Sequence, residues 1–78
     1  MPIVYTIYEI QTDADGNVAH LPPVDKKSES EAWAAYYLTL SYAVNSTVFL
    51  HTVMLCTNDG RKIDEQHYYH PVKEETNE

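Results

Sequence analysis

The segment from Ser28 to Asn45 reads as a helix with no charged residue after Glu31, and such a helix has no natural face to turn to water. A helix lying on a small sheet normally keeps an apolar stripe toward the core and its charge on the opposite side. Here Trp33, Tyr36, Tyr37, Leu40 and Val44 recur at spacings of 3, 1, 3 and 4, which makes one helical stripe. Ala35, Leu38 and Tyr42 make a second stripe beside it, and the polar positions shrink to Thr39, Ser41 and Asn45. The helix is therefore expected to be covered on more than one side. Its start is marked by Ser28-x-x-Glu31, a capping-box pattern, with Glu29 and Glu31 in the first turn.

The flanking segments read as strands. Ile3 to Ile10 is almost wholly β-branched or aromatic, with Ile3, Tyr5 and Ile7 on one parity and Val4, Tyr8 and Ile10 on the other. Asp13-Ala14-Asp15-Gly16-Asn17 supplies turn chemistry, and Val18 to Leu21 returns as a short arm stopped by Pro22-Pro23 at a sheet edge. Thr47 to Thr57 is a long strand, Asn58-Asp59-Gly60-Arg61 a hairpin turn, and Ile63 to His70 the last strand. The expected fold is α+β: a four-stranded, mainly antiparallel sheet in the order β-β-α-β-β with one helix across a face. A single domain over residues 1–72 and a charged tail at 73–78 account for the 78 residues.

Composition removes several function classes. Five Lys plus Arg against twelve Asp plus Glu leave a net charge of −7, which opposes binding to nucleic-acid phosphates. No run approaches the roughly 18 apolar residues of a membrane span, and no basic-then-apolar leader opens the chain. No membrane association and a cytoplasmic location are the expectations. The single cysteine forbids an intrachain disulfide.

Constellations for chemistry fail on geometry. His67 and His70, three apart on a strand, point to opposite faces and cannot chelate one ion. His51 and His70 share a face, but two nitrogens do not complete a zinc site. Cys56 and His67 share a face at a separation on the order of 13 Å, too far for a nucleophile–base pair. A calcium loop built on Gly16 would place Gln11 and Pro22 at its anchoring ligand positions. Asn45-Ser46-Thr47 is a helix end, and Asp64-Glu65 side chains diverge on a strand. No catalytic residue, cofactor or metal is expected, and the chain does not read as an enzyme.

Tyrosine is the unusual feature. Seven tyrosines and Trp33 offer more broad, amphipathic contact area than a core this small can absorb. Both parities of the third strand are apolar, Val48, Leu50 and Met54 against Phe49, Val53 and Leu55, while one helix covers only one sheet face. Burial of the surplus predicts a homo-oligomer, a dimer first and a tetramer next, with Ala35, Leu38, Tyr42, Val53 and Leu55 as interface candidates. An alternative set, His51, Tyr68, His70, Tyr36 and Tyr37, would line a small-ligand pocket at a subunit junction, for a nucleotide signal as one example.

Tyr5 to Thr12 followed by Asp15-Gly16, the Ala-rich helix with Tyr36-Tyr37, His51 in the third strand and the closing Gln66-His67-Tyr68-Tyr69-His70 carry a likeness over nearly the whole chain. It resembles short proteins of gut Firmicutes encoded on prophages and other mobile elements. Pro22-Pro23 and the more acidic tail depart from that pattern. The resemblance implies no established activity and no catalytic residues, only the context of an accessory gene. It suggests a non-catalytic protein acting by protein–protein contact, with a host protein partner such as a defence component to be inhibited. Small-ligand sequestration is the alternative, and a purely structural role a third.

Overall fold

A computed structural model describes residues 2–71. The elements are β1 (Tyr5–Thr12), β2 (Val18–His20), β3 (Val24–Lys26), α1 (Glu29–Val44), β4 (Leu50–Thr57) and β5 (Lys62–Tyr69). They form one antiparallel sheet in the order β2-β1-β4-β5, with β3 also paired to β1, and the helix lies on one face. The architecture is α+β, with five strands where the sequence suggested four. The charged tail expected at 73–78 lies outside the described residues.

The extra strand comes from the two prolines. Between the pairs Ile10–His20 and Ile7–Val24 the chain takes three steps along β1 but four along its partner. Pro22-Pro23 cannot donate to the ladder, so pairing breaks there, slips by one residue and resumes. Leu21 N–H still donates to the Glu9 carbonyl at 3.0 Å before the break. One edge strand is thereby split into two short pieces. At the β1–β2 turn the Asp13 carboxylate accepts from the backbone N–H groups of Asp15 and Asn17 and from the Asn17 amide, while Gly16 supplies a φ of +91°.

The β4–β5 register has His51 opposite Tyr68 and Thr52 opposite His67, as a two-residue Asp59-Gly60 loop would give. Nearer the turn it departs from that loop: Cys56 pairs with Lys62 instead of Ile63. Leu55 pairs with Asp64, so Ile63 is bulged out of the ladder and packs against the core. Thr57 N–H donates to the Arg61 carbonyl at 2.8 Å and Gly60, at φ +92°, closes the turn.

The helix starts as its sequence indicates. Ser28 is the N-cap, its hydroxyl accepting from Glu31 N–H at 3.3 Å, a contact of about 1 kcal/mol for such caps. Its last turn holds no basic residue; the imidazole Nε2 of His70 lies 3.1 Å from the Ala43 carbonyl and serves as a donor there.

The helix is rotated relative to the expected stripe. Ala32, Tyr36 and Ala43 are the fully buried positions, with Trp33, Ala35 and Leu40 partly covered and Tyr37 and Val44 exposed. Small side chains at Ala32 and Ala43 leave room for the one large ring between them, and Tyr36 fills it. Beneath it β1 and β4 contribute Ile7, Val53 and Leu55. Trp33 sits at the flank, edge-on to Tyr36 at 5.6 Å and tilted against Tyr37 at 5.5 Å.

Three carboxylates in the turns and on β5 make the fold acid-sensitive. Hydrogen bonds from the Asn17 side chain and then its backbone hold Asp13 below its ordinary 3.8. The Thr57 hydroxyl, then Arg61, do the same for Asp59; Lys62, then His67, hold Glu65 below 4.5. A carboxylate whose pKa is depressed by folding adds stability above its unfolded pKa and loses it as pH falls through the folded value. The melting temperature is therefore expected to be flat above those ordinary values and to fall as pH drops below them. Asp13→Ala should lower it at neutral pH and make the acid slope shallower; an unchanged slope in thermal melts would remove Asp13 from this account.

Candidate functional site

Three features stand out against this frame: the outer helix face, a buried polar cluster under the helix, and a groove at one end of the sheet. The outer face follows from the rotation of α1. Tyr42 is 66% exposed, Tyr37 59%, Leu38 54% and Val44 48%. From Ala32 through Asn58 the chain has no Asp, Glu, Lys or Arg, so nothing charged on the helix breaks this surface beyond its first turn. Leu38 and Tyr42 stand where the sequence placed them as interface candidates, and Ala35 is half-buried against the core.

Val53 and Leu55 do not belong with them. Both are completely buried under α1, because the β4 parity that holds His51, Val53, Leu55 and Thr57 faces the helix. A charge at Val53 would unfold the chain instead of dissociating an oligomer. The uncovered parity is Leu50, Thr52, Met54 and Cys56, all half-buried. Across the ladder Tyr8 faces Met54 and Tyr69 faces Leu50, so long neighbouring side chains shield this face. Thr6, Thr12, Thr52, Glu65 and His67 interleave with its apolar residues. It is far less apolar than parity counting suggested.

The residues proposed for a ligand pocket do not enclose one. His51 faces Tyr68 across β4–β5 and Tyr36 is sealed in the core, but Tyr37 points outward and His70 is spent on the helix end. In place of a cavity there is a tight polar cluster. His51 is 2% exposed, and its Nε2 lies 2.5 Å from Glu9 Oε2 and 3.2 Å from the Gln11 amide. A ring N–H at Nε2 donates to the carboxylate, which favours the Gln11 amide turned to present its oxygen. Among the described residues His51 Nδ1 has no partner, and neither has the enclosed Tyr36 hydroxyl. Burial, reinforced by the Asp64 carboxylate, pushes that hydroxyl well above the normal tyrosine range.

Glu9 and Gln11 were not singled out from the sequence. The signal was present: they continue the Tyr5–Ile7 parity, so a strand buried on that face had to bring two polar side chains inside. His67, on the opposite sheet face, contacts Thr52 and Glu65. Among the described residues no group of three or more His, Cys, Asp or Glu is gathered as a metal site would require, and no helix is long and apolar enough to cross a membrane.

The groove, about 1020 Å³ and open to solvent, lies where the β1–β2 turn, the α1–β4 loop and the end of β5 meet. Asp13, Val48, Phe49, Tyr69, His70 and Pro71 form most of its wall, with Phe49 and Tyr69 edge-to-face at 4.9 Å.

No protein-family model, no curated protein and no solved structure matches the chain.

Proposed function

We propose that the protein is a non-catalytic binding module that engages a protein partner through the outer face of α1. One observation carries the reading: Tyr37, Leu38, Tyr42 and Val44 are exposed together on a helix that has no charge beyond its first turn. Tyrosine is the residue type that anchors interfaces, since it buries a large rigid area at little entropic cost. The resemblance to mobile-element proteins supplies the target class, a component of a host defence system that the module inhibits, at a cytoplasmic site of action. Self-association, two copies first and four next, belongs to the same reading.

The test is capture of the partner from a bacterial host lysate by wild-type protein and by Leu38→Glu and Tyr42→Glu. Both side chains are exposed, so the variants should melt within a few degrees of wild type while losing the partner. Retention of the same partner by both variants would sink the reading.

A small-ligand function is the second reading, favoured by the groove alone. Its aromatic wall of Phe49 and Tyr69 suits a flat ring such as a nucleobase. Saturable quenching or a raised melting temperature with nucleotides, lost in Tyr69→Ala, would support it.

A further inference from the structure

The β5 edge is the least protected part of the sheet. Among the described residues no strand lies beyond β5, and from Asp64 to Tyr69 its pairing runs without a break, whereas the opposite edge is split and shifted by Pro22-Pro23. His70 N–H donates to the Phe49 carbonyl at 2.7 Å. In an antiparallel ladder the direction of the backbone groups alternates, so Tyr68, Gln66 and Asp64 bond inward to β4. His67 and Tyr69 then present their N–H and C=O groups outward, and so does Glu65 its C=O, while the Glu65 N–H donates to the Asp64 carboxylate at 3.0 Å, a local bond that pairing with a second strand exchanges for an intermolecular one. The bulge at Ile63 and the charge of Lys62 guard the turn end of the strand. Its middle has neither proline nor bulge, and the charges there are Asp64 and Glu65.

We infer that this edge is a self-association surface: two copies pair their β5 strands antiparallel about a two-fold axis at Gln66, with Glu65 of each opposite His67 of the other. The register follows from direction and charge together. A two-fold axis normal to the sheet pairs residues of the same parity, and the hydrogen-bonded pairs must come from the outward-facing set. Three central registers satisfy both conditions. One sets Glu65 against Glu65, a like-charge pair directly opposite, which is unfavourable. Another sets His67 against His67 and leaves Glu65 opposite Tyr69. The third sets Glu65 against His67 twice, and each of those pairs exchanges two backbone hydrogen bonds.

The side chains are already disposed for it. Glu65 and His67 lie on the same sheet face and bond to one another within the chain, Oε2 to Nε2, at 2.8 Å. Glu65 is also held by Lys62. Pairing across the axis turns this local contact into an alternating row of two carboxylates and two imidazoles, flanked by the two lysines. The result is one continuous sheet with both helices on the same side, so each outer helix face remains free and the particle offers two of them. The inference stands on the edge geometry and does not depend on the partner proposed for α1.

Sedimentation equilibrium on the full chain tests it. Wild type at micromolar concentration should have twice the chain mass. His67→Pro removes an N–H that bonds to nothing among the described residues, so it should give single chains with an intact circular dichroism spectrum and a cooperative melt. Glu65→Lys and His67→Glu should each weaken the dimer roughly tenfold or more, and the double exchange Glu65→Lys/His67→Glu should recover most of the loss. Amide exchange needs no variant: the His67 amide should become protected as concentration rises. The inference is overturned by a wild-type monomer, by a dimer that survives both His67→Pro and the single charge changes, by a charge exchange that recovers nothing, or by dissociation in Leu38→Glu alone. If His67→Pro does not fold, the charge series and the amide protection decide.

Discussion

Tyr36→Ala is expected to unfold the protein. Tyr36 is completely buried, and its ring is the one large side chain of α1 that is fully enclosed, packed in the core with Ala32, Ala43, Val53 and Leu55. Truncating a buried aromatic ring costs about 3–5 kcal/mol, the lost transfer free energy plus the cavity left behind. A single core in a chain of this length supplies a net stability on the order of 3–5 kcal/mol, so little or nothing remains. Circular dichroism and urea titration should show no cooperative transition. Tyr36→Phe is the companion: the hydroxyl it removes is enclosed and has no hydrogen-bond partner among the described residues, so the variant should be as stable as wild type or more so. A loss above about 1 kcal/mol in Tyr36→Phe would mean that the hydroxyl is bonded in solution, with Asp64 the acceptor to look for.

The second large effect belongs to the Glu9–His51 pair. Glu9→Leu should leave the His51 ring, 2% exposed, short of its strongest partner, at a cost of about 1–3 kcal/mol. His51→Leu strands the Glu9 carboxylate instead, but that side chain is 20% exposed and can turn toward water, so the loss should be smaller. The double variant Glu9→Leu/His51→Leu should recover much of the Glu9→Leu loss, because replacing both members of a buried polar pair by apolar groups is often close to neutral. Denaturant titrations of the four proteins of this cycle give the coupling directly. A double variant as unstable as the sum of the singles would show that the pair is not coupled and that the short contact contributes nothing of its own.

Much of the architecture was legible in the chain. Apolar spacing marked α1 and Ser28 its start, Asp13 to Asn17 and Asn58 to Arg61 carried turn chemistry, and a two-residue loop at Asp59-Gly60 sets His51 opposite Tyr68. These are local or nearest-neighbour properties, set by backbone sterics and side-chain period. The absence of charge along α1 after Glu31 was equally visible, but the cover it implied on a second side is not supplied within the chain, where Tyr37, Leu38, Tyr42 and Val44 stand exposed.

Tertiary structure decided which side of each element faced inward. By size alone Trp33, Tyr37 and Val44 belonged inside with Tyr36, but Tyr36 is the one large helix side chain that is fully enclosed, with Ala32 and Ala43 the other buried helix positions. That rotation put Tyr37 and Val44 outside, and it put Val53 and Leu55 under the helix although both parities of β4 are apolar. Pro22-Pro23 carries the break in the edge strand, but its one-residue slip along β1 and the bulge at Ile63 are adjustments of one strand to its neighbour. The meeting of Glu9, Gln11 and His51 depends on the β1–β4 register, because residues some forty positions apart become adjacent only when two strands pair. Local order was written in the sequence; facing and register came from packing, where the competition among alternatives is settled by the space between layers.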